Sequence, residues 1–157
     1  WMLVAYLQSV AEVGVIGLPA GDLAAGRRAF IENCSSCHRA HGVGEGLGPN
    51  LSVITSQRSL ESLVASVRDP DALVGRGYKL VRLRASEDEE ITGLIKSEDA
   101  FSMQLQDDKG RLRSVNKSEL QMLERLSGSL MPEFARSQLS DQRLFDIFNF
   151  LQHGAQS

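Results

Sequence analysis

The stretch Cys34-Ser-Ser-Cys37-His38 decides how the rest of this sequence is interpreted. Two thiols separated by two residues can each form a thioether to one vinyl group of a haem, because one helical turn brings both sulfurs to the same porphyrin edge. The adjacent His38 then offers an imidazole nitrogen to the iron. The motif therefore predicts the covalent attachment of a haem.

A redox-active dithiol and a zinc site are the alternative uses of the same residues. A redox dithiol normally lies on a βαβ framework, and the sequence pattern shows none. A zinc site would recruit the two cysteines and His38 together with His41 as a further ligand. Adjacent cysteine and histidine ligands make a strained chelate, however, and the sequence has no second pair of cysteines. We expect His41 to lie in an exposed turn. Both alternatives are therefore weaker than haem attachment.

Length and charge limit the kinds of protein that this chain can be. Its 157 residues favour one domain, alone or with an appendage, and 42% hydrophobic with 24% charged residues is an ordinary globular composition. Seventeen basic and 20 acidic side chains give a net charge of −3, which creates no field to gather phosphates. We therefore expect no nucleic-acid partner.

The first 20 residues are apolar-rich, but Gln8, Ser9 and Glu12 interrupt them, so we expect no membrane span in this segment. Their spacing predicts a short helix over 1–10 and then a glycine-containing linker to residue 20. We interpret 1–20 as a helix and linker that could close an upstream module. The domain proper is then predicted to be 21–157.

Apolar residues at helical spacing predict further helices on both sides of the motif. They are a helix capped by Asp22 that runs to Cys34, a helix over Ser59–Asp69, a helix over Ser118–Leu126, and a last helix capped by Ser140. A loop rich in glycine and proline, Gly42–Pro49, follows the motif. The predicted fold class is therefore mainly α.

Residues 78–116 change character, because short runs of alternating polarity are separated by polar turns. The runs predict four strands, over 79–85, 91–97, 101–106 and 111–115. An antiparallel meander is their simplest arrangement. We expect this small β insertion to be a satellite sheet packed by Leu80, Ile91, Phe101, Met103, Leu105 and Leu112.

Haem iron has a second axial position, and the chain has four methionines that could fill it. Met131 lies in Leu130-Met131-Pro132, on a predicted loop that could hold a thioether over a flat cofactor. Met103 on a strand and Met122 in a predicted helix are more simply core residues, and Met2 belongs to the first helix. A different ligand or an open site is the alternative to Met131.

The motif, the glycine-rich stretch Gly42–Leu51 and Leu130-Met131-Pro132 together resemble a class I cytochrome c, a helical fold around haem. The resemblance covers roughly 22–76 and 117–153. It implies one covalent haem c per chain, with His38 as proximal and Met131 as distal ligand and with the Pro49 carbonyl accepting the imidazole N–H. The β insertion departs from compact members and resembles haem-binding modules of large bacterial multi-domain proteins.

The resemblance implies an electron-transfer protein or domain rather than an enzyme, although it could be a module of a larger oxidoreductase. Its partner would be a redox protein or an adjacent redox domain. The alternatives are a haem-based sensor or haem enzyme with a displaceable distal ligand, and an adaptor whose sheet binds a partner. Tyr78, with Arg76 nearby, is a further candidate contact to a haem propionate. Because haem attachment needs an extracytoplasmic apparatus, the resemblance also implies a periplasmic or otherwise extracytoplasmic location.

Overall fold

The helix that leads into the motif is formed as predicted. The computed structural model describes residues 17–72, 74–86 and 89–156. Helix α1 spans Leu23–Asn33 and is capped by Asp22, whose carboxylate accepts the Ala25 N–H at 2.8 Å. This cap satisfies a donor that has no partner within the helix. The predicted helix over 1–10 lies outside the described residues.

The last helix has the same kind of start. Helix α4 spans Asp141–His153, and the Ser140 hydroxyl accepts the Arg143 N–H at 3.3 Å. Its predicted apolar face is confirmed, because its leucines at 144 and 151 and the neighbouring Ile147 and Phe148 are all buried. At thirteen residues, α4 is the longest helix in the described part of the chain. None of the described helices is long and apolar enough to cross a bilayer.

The described chain divides into two compact units. The first unit contains the described residues up to Glu45, together with Pro49–Ala65 and the chain from Ala135 onward. The second unit contains Gly46–Gly48 and Ser66–Phe134.

Close contact between α1 and α4 builds the first unit. A side chain at Gly26 of α1 would collide with the backbone carbonyl of Asp146 in α4, so the absence of a Cβ allows the two helices to cross closely. The rings of Phe30 and Phe150 pack 5.5 Å apart across this crossing. The Asp146 carboxylate accepts the Asp22 N–H at 3.0 Å, which ties the start of α1 to α4.

Four short elements follow α1. Strand β1, Arg39–Ala40, pairs antiparallel with β2, Val43–Gly44. Helix α2 spans Ile54–Gln57, and α3 spans Leu60–Arg68 within the range predicted for it.

A five-stranded antiparallel sheet forms most of the second unit. Its strands are β3, Leu80–Ser86; β4, Glu89–Glu98; β5, Ser102–Asp107; β6, Leu112–Asn116; and β7, Met122–Leu126. The strand order is β6-β5-β4-β3-β7, so the chain runs as a meander through β6 and then returns to pair with β3. A 3-10 turn over Lys117–Glu119 precedes β7.

Two structural expectations are wrong here. Ser118–Leu126 is not a helix, because Met122–Leu126 pairs with β3 and places Leu123 opposite Leu83. The fold class is not mainly α, because the described chain contains this sheet and the two-stranded β1–β2 pair. Leucine, methionine, glutamate and arginine favour helix locally, but pairing with a distant strand overrides that weak preference.

The core of the sheet contains only part of the predicted set. Val81, Leu83, Ile91, Met103 and Leu105 form its buried cluster. Phe101 is 83% exposed and Leu112 is 74% exposed, so the prediction that they pack the sheet is wrong. Side chains alternate between the faces of a strand, and Leu112 lies on the exposed face of β6. Phe101 lies in the turn before β5.

Candidate haem-binding site

The two cysteines and His38 lie in one tight turn at the end of α1. The Cys34 N–H donates to the Phe30 carbonyl at 2.8 Å, as the last bond of the helix. The Cys34 carbonyl then accepts the N–H of Cys37 at 3.2 Å and that of His38 at 2.8 Å. Both thiols are free and half-buried. The sequence motif is therefore also a compact structural unit.

The imidazole of His38 is oriented by the loop that follows. Its Nδ1 lies 2.9 Å from the Pro49 carbonyl, which can only accept, so Nδ1 carries the proton. Nε2 has no hydrogen-bond partner among the described residues and is the nitrogen left for a metal. Burial lowers the pKa of His38, although the bond to Pro49 acts in the opposite direction. A neutral imidazole with a bare Nε2 is the form that ligates iron.

Gly44 allows the loop to close over the motif. Its φ is +96°, and a Cβ there would collide with the carbonyl oxygen of His38. The neighbouring Glu45 N–H donates to the Ser35 carbonyl at 2.8 Å, and Arg39 Nε donates to the Gly44 carbonyl at 3.1 Å. The backbone around the proximal histidine is thus held by several short contacts.

His41 has a structural role that the sequence pattern did not reveal. Its Nε2 donates to the Leu151 carbonyl in α4 at 3.0 Å, and its ring meets the Phe150 ring edge-on at 5.5 Å. It is half-buried rather than in an exposed turn, so that expectation is wrong. Its φ of +48° is unusual for a residue with a side chain. No local signal could predict a bond to a residue 110 positions away.

The geometry does not favour the zinc or dithiol interpretations. Within the described residues, no group of three or more His, Cys, Asp or Glu side chains could hold a metal ion, and His41 Nε2 is occupied by α4. Burial, with a smaller contribution from Cys37, raises the pKa of the Cys34 thiol to about 11. A redox dithiol instead depends on a thiol whose pKa is lowered.

The residues of this turn fit a haem. Two free thiols at the attachment spacing stand beside a histidine whose tautomer leaves Nε2 available. When a haem is bound, Cys34 and Cys37 would hold its vinyl carbons and His38 would ligate its iron.

Comparison with known proteins agrees with this chemistry. Residues 23–96, slightly under half of the chain, match the family model of cytochrome c. The chain is also 44% identical over 46 residues to cytochrome c-554(547) of Halothiobacillus neapolitanus, and this match covers 29% of the chain and 50% of the relative. The chain therefore aligns with half the length of that relative.

The resemblance predicted from the motif is thus confirmed over 23–96, the segment that matches the cytochrome c family model. This match and the cysteine pair at the attachment spacing support covalently bound haem c as the cofactor of the segment.

The other two predicted site residues lie in the second unit. Tyr78 ends a 3-10 turn, and Lys96 Nζ lies 5.2 Å from its ring centroid. Partial burial raises the pKa of its hydroxyl. Met131 is half-buried in the segment between β7 and α4, where its N–H donates to the Ser129 hydroxyl at 3.0 Å. The roles of Tyr78 and Met131 at a haem stay predictions.

Proposed function

We propose that this chain is a single-electron carrier with one haem c, attached through Cys34 and Cys37 and ligated by His38 and Met131. The observation that carries the proposal is the His38 imidazole, whose Nδ1 is held by Pro49 while Nε2 bonds to none of the described residues. A histidine whose second ring nitrogen is fixed in this way has a defined tautomer and ring orientation. Both are required of a proximal ligand.

The bound haem would supply a one-electron Fe(III)/Fe(II) couple. The protein's own contribution is to hold the ligand still, because a fixed ligand needs little rearrangement when the charge of the iron changes. His38 is buried, and its carbonyl lies against Gly44 on one side while its ring is bonded to Pro49 on the other.

Met131 would complete the ligand set. A thioether raises the reduction potential relative to a second imidazole and leaves no open position for a substrate. Its place in a segment without regular structure, next to Pro132, supports the proposal because a loop can present a side chain to a flat cofactor. Tyr78 is proposed more narrowly, as a hydrogen-bond donor to a propionate.

The domain, location and partner follow from the same proposal. Residues 21–157 would form the carrier domain, with residues 1–20 as a preceding helix and linker. Covalent attachment needs an extracytoplasmic apparatus, which favours the periplasm or the cell surface of a bacterium. The partner would be a redox protein or an adjacent redox domain, and the chain would transfer electrons without being an enzyme itself.

Visible and near-infrared spectra of the oxidised and reduced protein test the ligand set. Low-spin c-type bands and a weak sulfur-to-iron band in the near infrared are expected for the wild type. Met131→Ala should abolish the near-infrared band and lower the potential, because the thioether is lost. Met103→Leu and Met122→Leu are the matched controls and should keep both properties.

Ligand binding by the wild type distinguishes an electron carrier from a sensor or haem enzyme. A sensor or a haem enzyme with a displaceable ligand would bind carbon monoxide or imidazole readily in the wild type. An unchanged near-infrared band in Met131→Ala would assign the distal position to another residue and contradict this part of the proposal.

A further inference from the structure

The segment that carries Met131 is tied down at both ends within the second unit. We call residues 127–134 the Met131 loop. It has no regular secondary structure, and at its start Gly128 has a φ of +104°. A loop of eight residues without such ties would sample many conformations, which would weaken any bond made by its side chains.

Asp71 holds the start of the loop. One of its carboxylate oxygens accepts the Ser129 N–H at 2.8 Å. A Cβ at Gly128 would lie 3.1 Å from the same oxygen, so the glycine lets the backbone pass close to the carboxylate. The Ser129 hydroxyl in turn accepts the Met131 N–H at 3.0 Å. A continuous chain of two hydrogen bonds therefore runs from Asp71 to the backbone of Met131.

The last turn of α3 holds the end of the loop. The Phe134 N–H donates to the Val67 carbonyl at 3.2 Å, and Arg68 Nη1 donates to the Phe134 carbonyl at 2.6 Å. The N–H and the carbonyl of Phe134 are thus both hydrogen-bonded to the last turn of α3. Asp71 lies only a few residues beyond that helix, so one short segment, 67–71, fixes both ends of the loop.

We propose that Asp71 is a positioning residue that acts through Ser129 to hold Met131 in the conformation that ligates iron. This inference rests on the proposed function, in which Met131 is the distal ligand. Asp71 makes no contact with the cofactor in this account. Its effect is to lower the conformational entropy that Met131 loses when its thioether binds.

Competition between imidazole and Met131 for the iron measures how firmly the loop holds the thioether. Imidazole can bind only when the thioether has left, so a looser loop raises the apparent affinity for imidazole. A hydrogen bond to a carboxylate at an exposed position contributes modestly, and its loss should tighten imidazole binding about three- to tenfold. The intensity of the sulfur-to-iron band should fall in the same variants.

Four substitutions in the holoprotein test the proposal. Asp71→Ala removes the first hydrogen bond and Ser129→Ala removes the second. Ser129→Thr keeps the hydroxyl and should restore wild-type imidazole affinity. Ser127→Ala is the matched control for Ser129→Ala, because the Ser127 side chain makes no hydrogen bond to the described residues, and it should behave as wild type.

Hydrogen exchange gives a readout that does not depend on the iron. Asp71→Ala should speed exchange of the Ser129 amide, and Ser129→Ala should speed exchange of the Met131 amide, because each variant removes the acceptor of that N–H. Amides in the β3–β4 pair should be unchanged, which distinguishes local loosening from general destabilisation.

Met131 ligation and positioning by Asp71 are refuted by different results. If Met131→Ala loses the sulfur-to-iron band while Asp71→Ala and Ser129→Ala bind imidazole like the Ser127→Ala control, the positioning role is refuted and Met131 ligation stands. If Met131→Ala keeps the band, the proposed distal ligand is wrong and the positioning role falls with it.

Discussion

Replacing Gly44 with alanine should damage the proximal side of the haem site more than the same change two residues earlier. Gly44 and Gly42 both have positive φ, +96° and +81°. An alanine in a left-handed conformation costs about 1–2 kcal/mol, and both variants should show that loss. At Gly42, no atom of the described residues other than its two chain neighbours lies within 4 Å of the added Cβ, so no further loss of stability is expected there.

At Gly44 the added Cβ would collide with the His38 carbonyl and lie 3.0 Å from the Ser35 carbonyl. Backbone atoms cannot rotate away as a side chain can, so the overlap should lower the free energy of unfolding by a further amount of about 1–3 kcal/mol. We therefore expect Gly44→Ala to lower the free energy of unfolding by about 2–5 kcal/mol in total. The difference between the two variants corresponds to at least about 2–4 °C in Tm.

Denaturant unfolding of the two holoproteins, followed by circular dichroism, measures this difference. Gly44→Ala should also shift the reduction potential, because the displaced group is the backbone of His38, and Gly42→Ala should leave the potential unchanged. Equal losses of stability in the two variants would refute the argument that the Gly44–His38 contact constrains the proximal ligand.

Substitutions of His41, Asp107 and Met103 test other parts of the structure. His41→Ala should lower the free energy of unfolding by about 1–3 kcal/mol, because it removes the hydrogen bond and the ring contact to α4. His41→Gly should lose less stability, because glycine suits the positive φ at this position. An unchanged urea midpoint for His41→Ala would contradict the contact. Burial acts to raise the pKa of Asp107, but hydrogen bonds from Arg111 hold it below its usual value. The folded-state pKa is therefore the lower one, so Asp107 stabilises the fold above its ordinary pKa and this contribution is lost as pH falls through the folded value. Asp107→Asn should be less stable than wild type at pH 7 and should lose less stability on acidification, as measured by urea midpoints across the acid range. Met103→Ala should lower the free energy of unfolding by about 2–5 kcal/mol, because this side chain is fully buried, whereas Met122→Ala should lower it less. Equal losses of stability for the two variants in thermal unfolding would argue against the described sheet core.

The features that could be predicted from the sequence depend on nearby residues. Asp22 caps α1 through a bond to a residue three positions away, and the attachment motif occupies one turn. The meander over β3–β6 is also local, because each strand pairs with the next one along the chain.

The features that could not be predicted depend on distant partners. Strand β7 consists of residues that favour helix, and its pairing with β3 spans about forty positions. Leu112 is exposed because of the register of its strand, and an alternating sequence pattern alone does not determine that register. The contact of His41 with α4 and the anchor from Asp71 to Ser129 likewise link segments that are far apart in sequence.

The most direct test of the account is the intact mass of the mature protein after denaturation. We predict the polypeptide mass plus one covalently bound haem, because the chain has a single attachment motif with two cysteines. A variant with Cys34→Ala and Cys37→Ala should show the polypeptide mass alone. A mature wild-type protein that lacks covalent haem after co-expression with an attachment apparatus, or that carries more than one, would contradict the account.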